Sequence, residues 1–155
     1  MKAKTKETLA KVFAIAGTAL VWLPVLFMFL TAIVGSISRK MLLFDYLMLA
    51  ELFFVVLAGA VLLIVAGILS KTLAKWFGWA SAAAVLSLAA AQLIAVVSGL
   101  AHGDRSPTGF IFGLVIGMIV LYNLLVIGIG ILGILLIRRL YAKKEIPADA
   151  IEAEA

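Results

Sequence analysis

The sequence has no cysteine and only one histidine among its 155 residues. The absence of cysteine excludes disulfide bonds, thiolate metal sites and cysteine nucleophiles, and with them the membrane thiol oxidoreductases. The one histidine, His102, does not suffice for a haem or zinc site built from histidine unless subunits share ligands. We therefore expect no metal site, no cofactor and no set of catalytic residues.

Charged residues are also scarce. They make up 14% of the chain, whereas 66% of the residues are hydrophobic and the mean hydropathy is +1.26. A water-soluble fold of this composition would leave large apolar patches exposed. The net charge of +5 would suit nucleic acid, but the Lys and Arg residues flank apolar segments rather than line one face. The composition predicts an integral membrane protein that contacts lipid and no nucleic acid.

Four long apolar segments carry the fold prediction. They cover about residues 12–35, 46–69, 78–99 and 109–137. A helix that rises about 1.5 Å per residue needs ~20 residues to cross a hydrocarbon core of ~30 Å, and the short alternating segments of a β-barrel are missing. We predict an all-α four-transmembrane-helix bundle, antiparallel and up-down-up-down, over residues 1–142. A solvated cytoplasmic tail, residues 143–155, is expected to follow.

The positive charges predict the orientation of the bundle. The chain has 13 Lys and Arg residues, and these residues accumulate in the cytoplasmic loops of membrane proteins. Ten lie in the segments on the same side as the N-terminus: Lys2, Lys4, Lys6, Lys11, Lys71, Lys75, Arg138, Arg139, Lys143 and Lys144. The other three are Arg39, Lys40 and Arg105. We therefore expect both termini in the cytoplasm, in a multi-pass protein of the plasma (inner) membrane.

Small residues in the third and fourth segments predict close helix packing. A ridge of small side chains repeats every four residues: Ala83, Ser87, Ala91, Ala95 and Gly99. Gly113 and Gly117 form a second small pair, and such pairs let helix backbones approach closely. We expect both features to pack against a helix of this chain or of a second copy. Asn123 lies at the depth of Ser87, and we expect a hydrogen bond between their side chains.

Pro24 interrupts the first segment. Proline removes the hydrogen bond to the carbonyl group of Leu20 and tends to kink a helix there. Because proline is common in membrane helices, the ordinary interpretation is a packing kink. The alternative is a functional hinge, to which Gly17 and Thr18 would add local freedom.

Three polar side chains are predicted to lie at similar depths below the outer surface. With about 1.5 Å per residue, Glu51 is ~8 Å deep, Gln92 ~10 Å and Thr31 ~6 Å. The loops above supply Asp45, His102, Asp104 and Arg105. If the three face inward, Glu51 is expected to hydrogen-bond Gln92 and Thr31. This polar layer is either a structural connection between helices or a binding site for a lipid headgroup, a cation or a small polar molecule.

The function follows by elimination. Four helices are too few to enclose a pathway, and no polar stripe continues from the outer layer to the cytoplasmic side. The sequence favours a binding or accessory protein, which packs on a partner membrane protein or holds a lipid or small apolar ligand in its outer-leaflet half. The alternative is a homo-oligomeric transporter of a small solute or ion that uses Glu51. A lipid-modifying enzyme ranks third, because the ionisable residues at the outer face fit no known catalytic spacing.

Overall fold

The computed structural model of the protein describes residues 3–39, 52–102 and 108–142. Within these ranges the chain forms only helices and turns, with no strand. The helices are α1 (Ala3–Arg39), α2 (Phe53–Ser70), α3 (Ala74–Val97) and α4 (Gly109–Ala142). Each helix contains a stretch long and apolar enough to cross a membrane. The prediction of an all-α chain with four helices able to cross a membrane by length and composition is confirmed for the described residues.

The helix ends differ from those expected from hydropathy. α1 begins at Ala3 instead of near residue 12, and α4 continues to Ala142. Hydropathy marks only the part of a helix that suits lipid, whereas Lys, Arg and Glu are also good helix formers and extend it. α3 begins at Ala74 and ends at Val97. The expected start of α2, residues 46–51, lies outside the described residues.

Two of the helices are longer than a membrane crossing requires. α1 has 37 residues and α4 has 34, which correspond to about 55 Å and 51 Å of helix. A hydrocarbon core is ~30 Å thick, so both helices exceed a straight crossing, which tilt or extension beyond the bilayer would accommodate. Near the start of α1, Lys11 forms a salt bridge with Glu7 at 2.6 Å. The ammonium group of Lys11 also lies 5.3 Å from the ring centre of Tyr141 on α4.

Each helix packs against two neighbouring helices, and α2 and α4 also contact each other across the bundle. α1 packs most extensively on α2, and α3 packs most extensively on α4. α4 also contacts α1, and α2 contacts both α3 and α4, whereas α1 and α3 do not touch in the described part of the chain. α2 and α4 therefore lie nearest to the centre of the bundle.

The core is filled by large apolar side chains. Six of its largest fully buried members are Tyr122, Phe77, Leu63, Ile129, Leu136 and Val21. Many other apolar side chains are exposed, including Phe110 at 83% and Trp79 at 79%. Such a surface suits lipid. Because lipid tails are as apolar as the core, close packing and interhelical hydrogen bonds must hold the helices together.

Glycines on α1, α2 and α4 allow α1 to pack closely against its neighbours. A Cβ atom added to Gly17 would lie 2.8 Å from the carbonyl oxygen of Gly59 on α2, and one added to Gly59 would lie 2.9 Å from that of Gly17. On α4, a Cβ atom added to Gly130 would lie 2.9 Å from the indole nitrogen of Trp22. Gly17 thus belongs to a close helix crossing, where the backbones are held together, and not to a loosely packed stretch.

A tight turn connects α2 to α3. The backbone N–H of Thr72 donates to the carbonyl oxygen of Gly67 at 3.0 Å, and that of Lys71 donates to Ile68 at 3.2 Å. This pair of bonds is the Schellman motif, in which the residue after the helix takes a left-handed conformation. Lys71 takes that conformation, with φ of 54°. A side chain at Gly67 would be crowded at this turn, because a Cβ atom there would lie 3.0 Å from the Thr72 carbonyl oxygen.

Candidate functional site

Only part of the predicted polar layer falls on described residues. Glu51, Asp45, Asp104 and Arg105 lie outside them. Gln92 and His102 are exposed, and Thr31 is half-buried. The hydroxyl group of Thr31 donates to the carbonyl oxygens of Phe27 at 2.9 Å and Met28 at 3.0 Å, which belong to its own helix. Because α1 and α3 do not touch, Thr31 and Gln92 are not brought together.

The small ridge of α3 is only partly in the core. Ala91 is 1% exposed and packs with Val115 and Ile119 of α4. Ala83, Ser87, Ala95 and Gly99 are half-buried. The buried stripe of α3 is a different one and consists of Phe77, Ser81, Ala84, Leu88 and Ala91. The two stripes meet at Ala91, where α3 lies against the first half of α4.

The glycine pair of α4 is not used within the described bundle. Gly113 and Gly117 are exposed, and a Cβ atom added to either would meet nothing within 4 Å. Leu124 and Gly128 follow at spacings of seven and four residues, which keep them on the same helix face. Leu124 is 60% exposed, and the space beside Gly128 is also open. This face, defined by Gly113, Gly117, Leu124 and Gly128, is called the α4 glycine face below.

Asn123 and Pro24, for which the sequence predicted a hydrogen bond and a kink or hinge, are both buried. Asn123 is 8% exposed, and the expected hydrogen bond between it and Ser87 stays a prediction. Pro24 is fully buried, and α1 continues as one helix from Ala3 to Arg39 through it. A hinge at Pro24 also stays a prediction.

The interior contains polar atoms that the sequence reasoning missed. Ser81 Oγ, Tyr122 OH and Trp22 Nε1 are buried without a hydrogen-bond partner among the described residues. Thr18, by contrast, donates to the carbonyl oxygen of Ala14 at 2.7 Å. The signal for Ser81 and Tyr122 was a hydroxyl group within an apolar segment. Nothing in the sequence indicates that residues 81 and 122 line one cavity, because helix packing alone places them there.

Ser81 and Tyr122 line one partly open cavity between α2, α3 and α4. Its volume is about 10 Å³. The lining residues are Phe53, Val56, Leu57 and Ala60 of α2, Ser81, Ala84 and Val85 of α3, and Tyr122 and Ile129 of α4. The four α2 residues repeat at spacings of three and four, so they form one helix face. The cavity is thus an apolar space with two hydroxyl groups.

The chemistry of this cavity is limited to hydrogen bonding. A hydroxyl group can donate one hydrogen bond and accept two. Across residues 3–39, 52–102 and 108–142, no three His, Cys, Asp or Glu side chains are grouped so as to hold a metal ion. The arrangement can bind a small polar molecule or connect helices.

Comparison of the chain with protein-family models, with curated proteins and with solved structures gives no match.

Proposed function

We propose that the protein is a small accessory protein of the plasma (inner) membrane, which packs on a partner membrane protein through the α4 glycine face. The observation that carries this proposal is the open surface at Gly113 and Gly117, where nothing lies within 4 Å of an added Cβ atom. Lipid gains little from a flat glycine surface. A partner helix gains close backbone contact and dispersion energy there.

The glycines whose surroundings the structure describes include a crowded group and an open group, and this difference supports the proposal. Gly17, Gly59, Gly67, Gly130 and Gly133 all have a neighbour within about 3 Å of an added Cβ atom. Packing inside the chain therefore explains why those positions are small. It offers no such reason for Gly113, Gly117 and Gly128, and a contact with another helix would supply one.

Gln92 provides a second, weaker argument for a partner. Its amide is exposed on α3, five residues before the end of a membrane-spanning helix. A polar side chain within the membrane costs free energy unless it finds a partner or reaches the headgroup region. A hydrogen bond to a partner helix would satisfy the amide.

The other form of the proposed binding function is to hold a lipid or small apolar ligand in the outer-leaflet half of the bundle. Ligand pockets usually measure about 300–1,000 Å³, whereas the cavity at Ser81 and Tyr122 measures about 10 Å³. This cavity is too small for such a ligand. A ligand held at Glu51 would lie outside the described residues, so partner packing is the form that we favour.

The proposed accessory protein is antiparallel, with both termini in the cytoplasm. The contact of Lys11 with Tyr141 brings the start of α1 beside the end of α4, which supports an antiparallel pair. The contacts of Gly17 with Leu63 and of Val21 with Gly59 support the same relation for α1 and α2. The excess of Lys and Arg on the side of the N-terminus supports the cytoplasmic location of that side.

Native mass spectrometry of the full-length protein, extracted gently from its own membranes, tests the proposal. We expect a stoichiometric complex with one defined partner chain, which Gly113→Val and Gly117→Val each weaken by at least about tenfold. Gly78→Val is the matched control, because Gly78 also has no neighbour within 4 Å but lies on α3. The control should retain the complex.

Other results would overturn the proposal. A monomer that carries only lipid, with or without these substitutions, would favour the ligand-holding form and make Glu51→Gln the next variant. A pure homo-oligomer would favour the transport alternative, and flux measurements in liposomes would then test Glu51.

A further inference from the structure

Two residues with buried hydroxyl groups, Ser81 and Tyr122, line the same small, partly open cavity. Ser81 is 9% exposed and Tyr122 is 1% exposed, and both line the cavity between α2, α3 and α4. Neither Ser81 Oγ nor Tyr122 OH has a hydrogen-bond partner in the part of the chain that the structure describes. A buried hydroxyl without a partner destabilises a fold, because it has lost its bonds to water and gained none.

The volume of the cavity limits what can satisfy these hydroxyl groups. A cavity holds a water molecule when the space open to the centre of a water-sized sphere reaches about 10–15 Å³. The cavity here measures about 10 Å³, which is room for one water molecule. A lipid chain or a drug-sized ligand would need far more space.

The composition of the lining agrees with a single polar occupant. Apart from Ser81 and Tyr122, the side chains around the cavity are aliphatic or phenyl groups, such as Val56, Ala60 and Ile129. A purely apolar cavity of this size would stay dry, whereas two hydroxyl groups can hold a water molecule by donating to it or accepting from it.

We infer that this cavity binds one water molecule, which bridges the hydroxyl groups of Ser81 and Tyr122 and so connects α3 to α4 within the membrane. Buried waters of this kind satisfy polar groups that the protein leaves unpaired, and their bonds are nearly as favourable as direct ones. The bridge would also explain why a serine and a tyrosine stand at core positions that Ala and Phe would fill equally well.

A double-mutant cycle combined with a high-resolution structure tests the inference. Ser81→Ala and Tyr122→Phe each remove one hydroxyl group and little volume. Each is expected to lower the midpoint of thermal unfolding by roughly 2–4 °C. The unfolding midpoint of the double variant should fall by about as much as that of the more affected single variant, because the same bridge is removed in each case. Tyr141→Phe is the control. Because Tyr141 is 51% exposed, this variant should keep the thermal unfolding midpoint of the unsubstituted protein.

The structure of the unsubstituted protein in lipid should show one density peak within about 3 Å of both oxygen atoms, and that of Tyr122→Phe should lose it. Additive losses without such a peak would overturn the inference. Coupled losses with the two oxygens in direct contact would overturn it as well, since the hydroxyl groups would then bond each other.

Discussion

Gly17 and Gly59 are the residues of the described chain at which even a methyl group should matter most. An added Cβ atom at either would lie less than 3 Å from the carbonyl oxygen of the other. A backbone oxygen cannot rotate away, so α1 and α2 would have to separate. We expect Gly17→Ala and Gly59→Ala each to lower the free energy of unfolding by about 1–3 kcal/mol. Unfolding in bilayer nanodiscs would measure this loss.

Gly128→Ala is the matched control for these two variants. It makes the same chemical change in a membrane-spanning helix, but an added Cβ atom there meets nothing within 4 Å. Its stability should stay within about 0.5 kcal/mol of the unsubstituted protein or rise slightly. Equal stability of Gly17→Ala and Gly128→Ala would mean that α1 and α2 lie further apart than the structure places them.

Lys71 is a residue whose backbone, and not its side chain, determines its effect on stability. Its φ of 54° is left-handed, a conformation that costs a residue with a Cβ atom about 1–2 kcal/mol and glycine almost nothing. Lys71→Gly should therefore raise the free energy of unfolding by about 1 kcal/mol, as read from thermal or denaturant unfolding. Lys75→Gly removes the same charge within α3 and should lower stability instead. A loss of stability in both variants would show that the charge, or the entropy of the unfolded chain, matters more than the left-handed conformation.

At the level of elements, the contact of α3 with α4 depends on Ala91. This residue is 1% exposed and packs against Val115 and Ile119. Ala91→Leu introduces three carbon atoms into a filled space, so we expect a loss of about 1–3 kcal/mol and a weaker α3–α4 contact. Ala89→Leu is the control, because Ala89 lies on the exposed side of α3.

The outcome for α3 can be read from thermal or denaturant unfolding. Ala91→Leu should unfold more readily than Ala89→Leu, since only Ala91 lies in the filled contact between α3 and α4. If the two variants behave alike, Ala91 faces lipid and the α3–α4 packing described above is incorrect.

α3 also shows why the helices were predictable and their contacts were not. A run of apolar residues longer than ~20 predicts a spanning helix whatever its neighbours are, because lipid forces the backbone to bond within itself. The buried face is harder to predict, since the lipid-facing side of such a helix is as apolar as the core side. In the alanine-rich α3, a ridge at Ala83 and Ser87 therefore looked as suitable as the stripe at Ser81 and Ala84 that the structure buries.

The candidate site was still less predictable, because its members come from different helices. Depth below the membrane surface can be counted along one helix, and it suggested a layer of Glu51, Gln92 and Thr31. Depth does not give the direction in which a side chain points. Gln92 is exposed, and Thr31 bonds to its own helix. The cavity that Ser81 and Tyr122 both line depends on the relative positions of α3 and α4, which only tertiary packing determines.

At the scale of the whole molecule, the structure and the charges lead to one proposed orientation. The contact of Lys11 with Tyr141 joins the first and last helices at the end of the bundle where Arg138 and Arg139 are exposed. The turn at Lys71 is expected at the same end, because Gly17 of α1 already contacts Leu63, about two turns of helix before it. A bundle with most of its Lys and Arg residues at one end should have that end in the cytoplasm.

Because the sequence contains no cysteine, single introduced cysteines can test this orientation without background. Lys75 lies in the first turn of α3, His102 follows the end of α3, and both are exposed. We expect a membrane-impermeant maleimide to label His102→Cys in intact cells. Lys75→Cys should react only after the membrane is permeabilised, and the unsubstituted protein should not react at all. The reverse labelling pattern would place both termini outside, and the excess of positive charge at that end would then need a cause other than membrane topology.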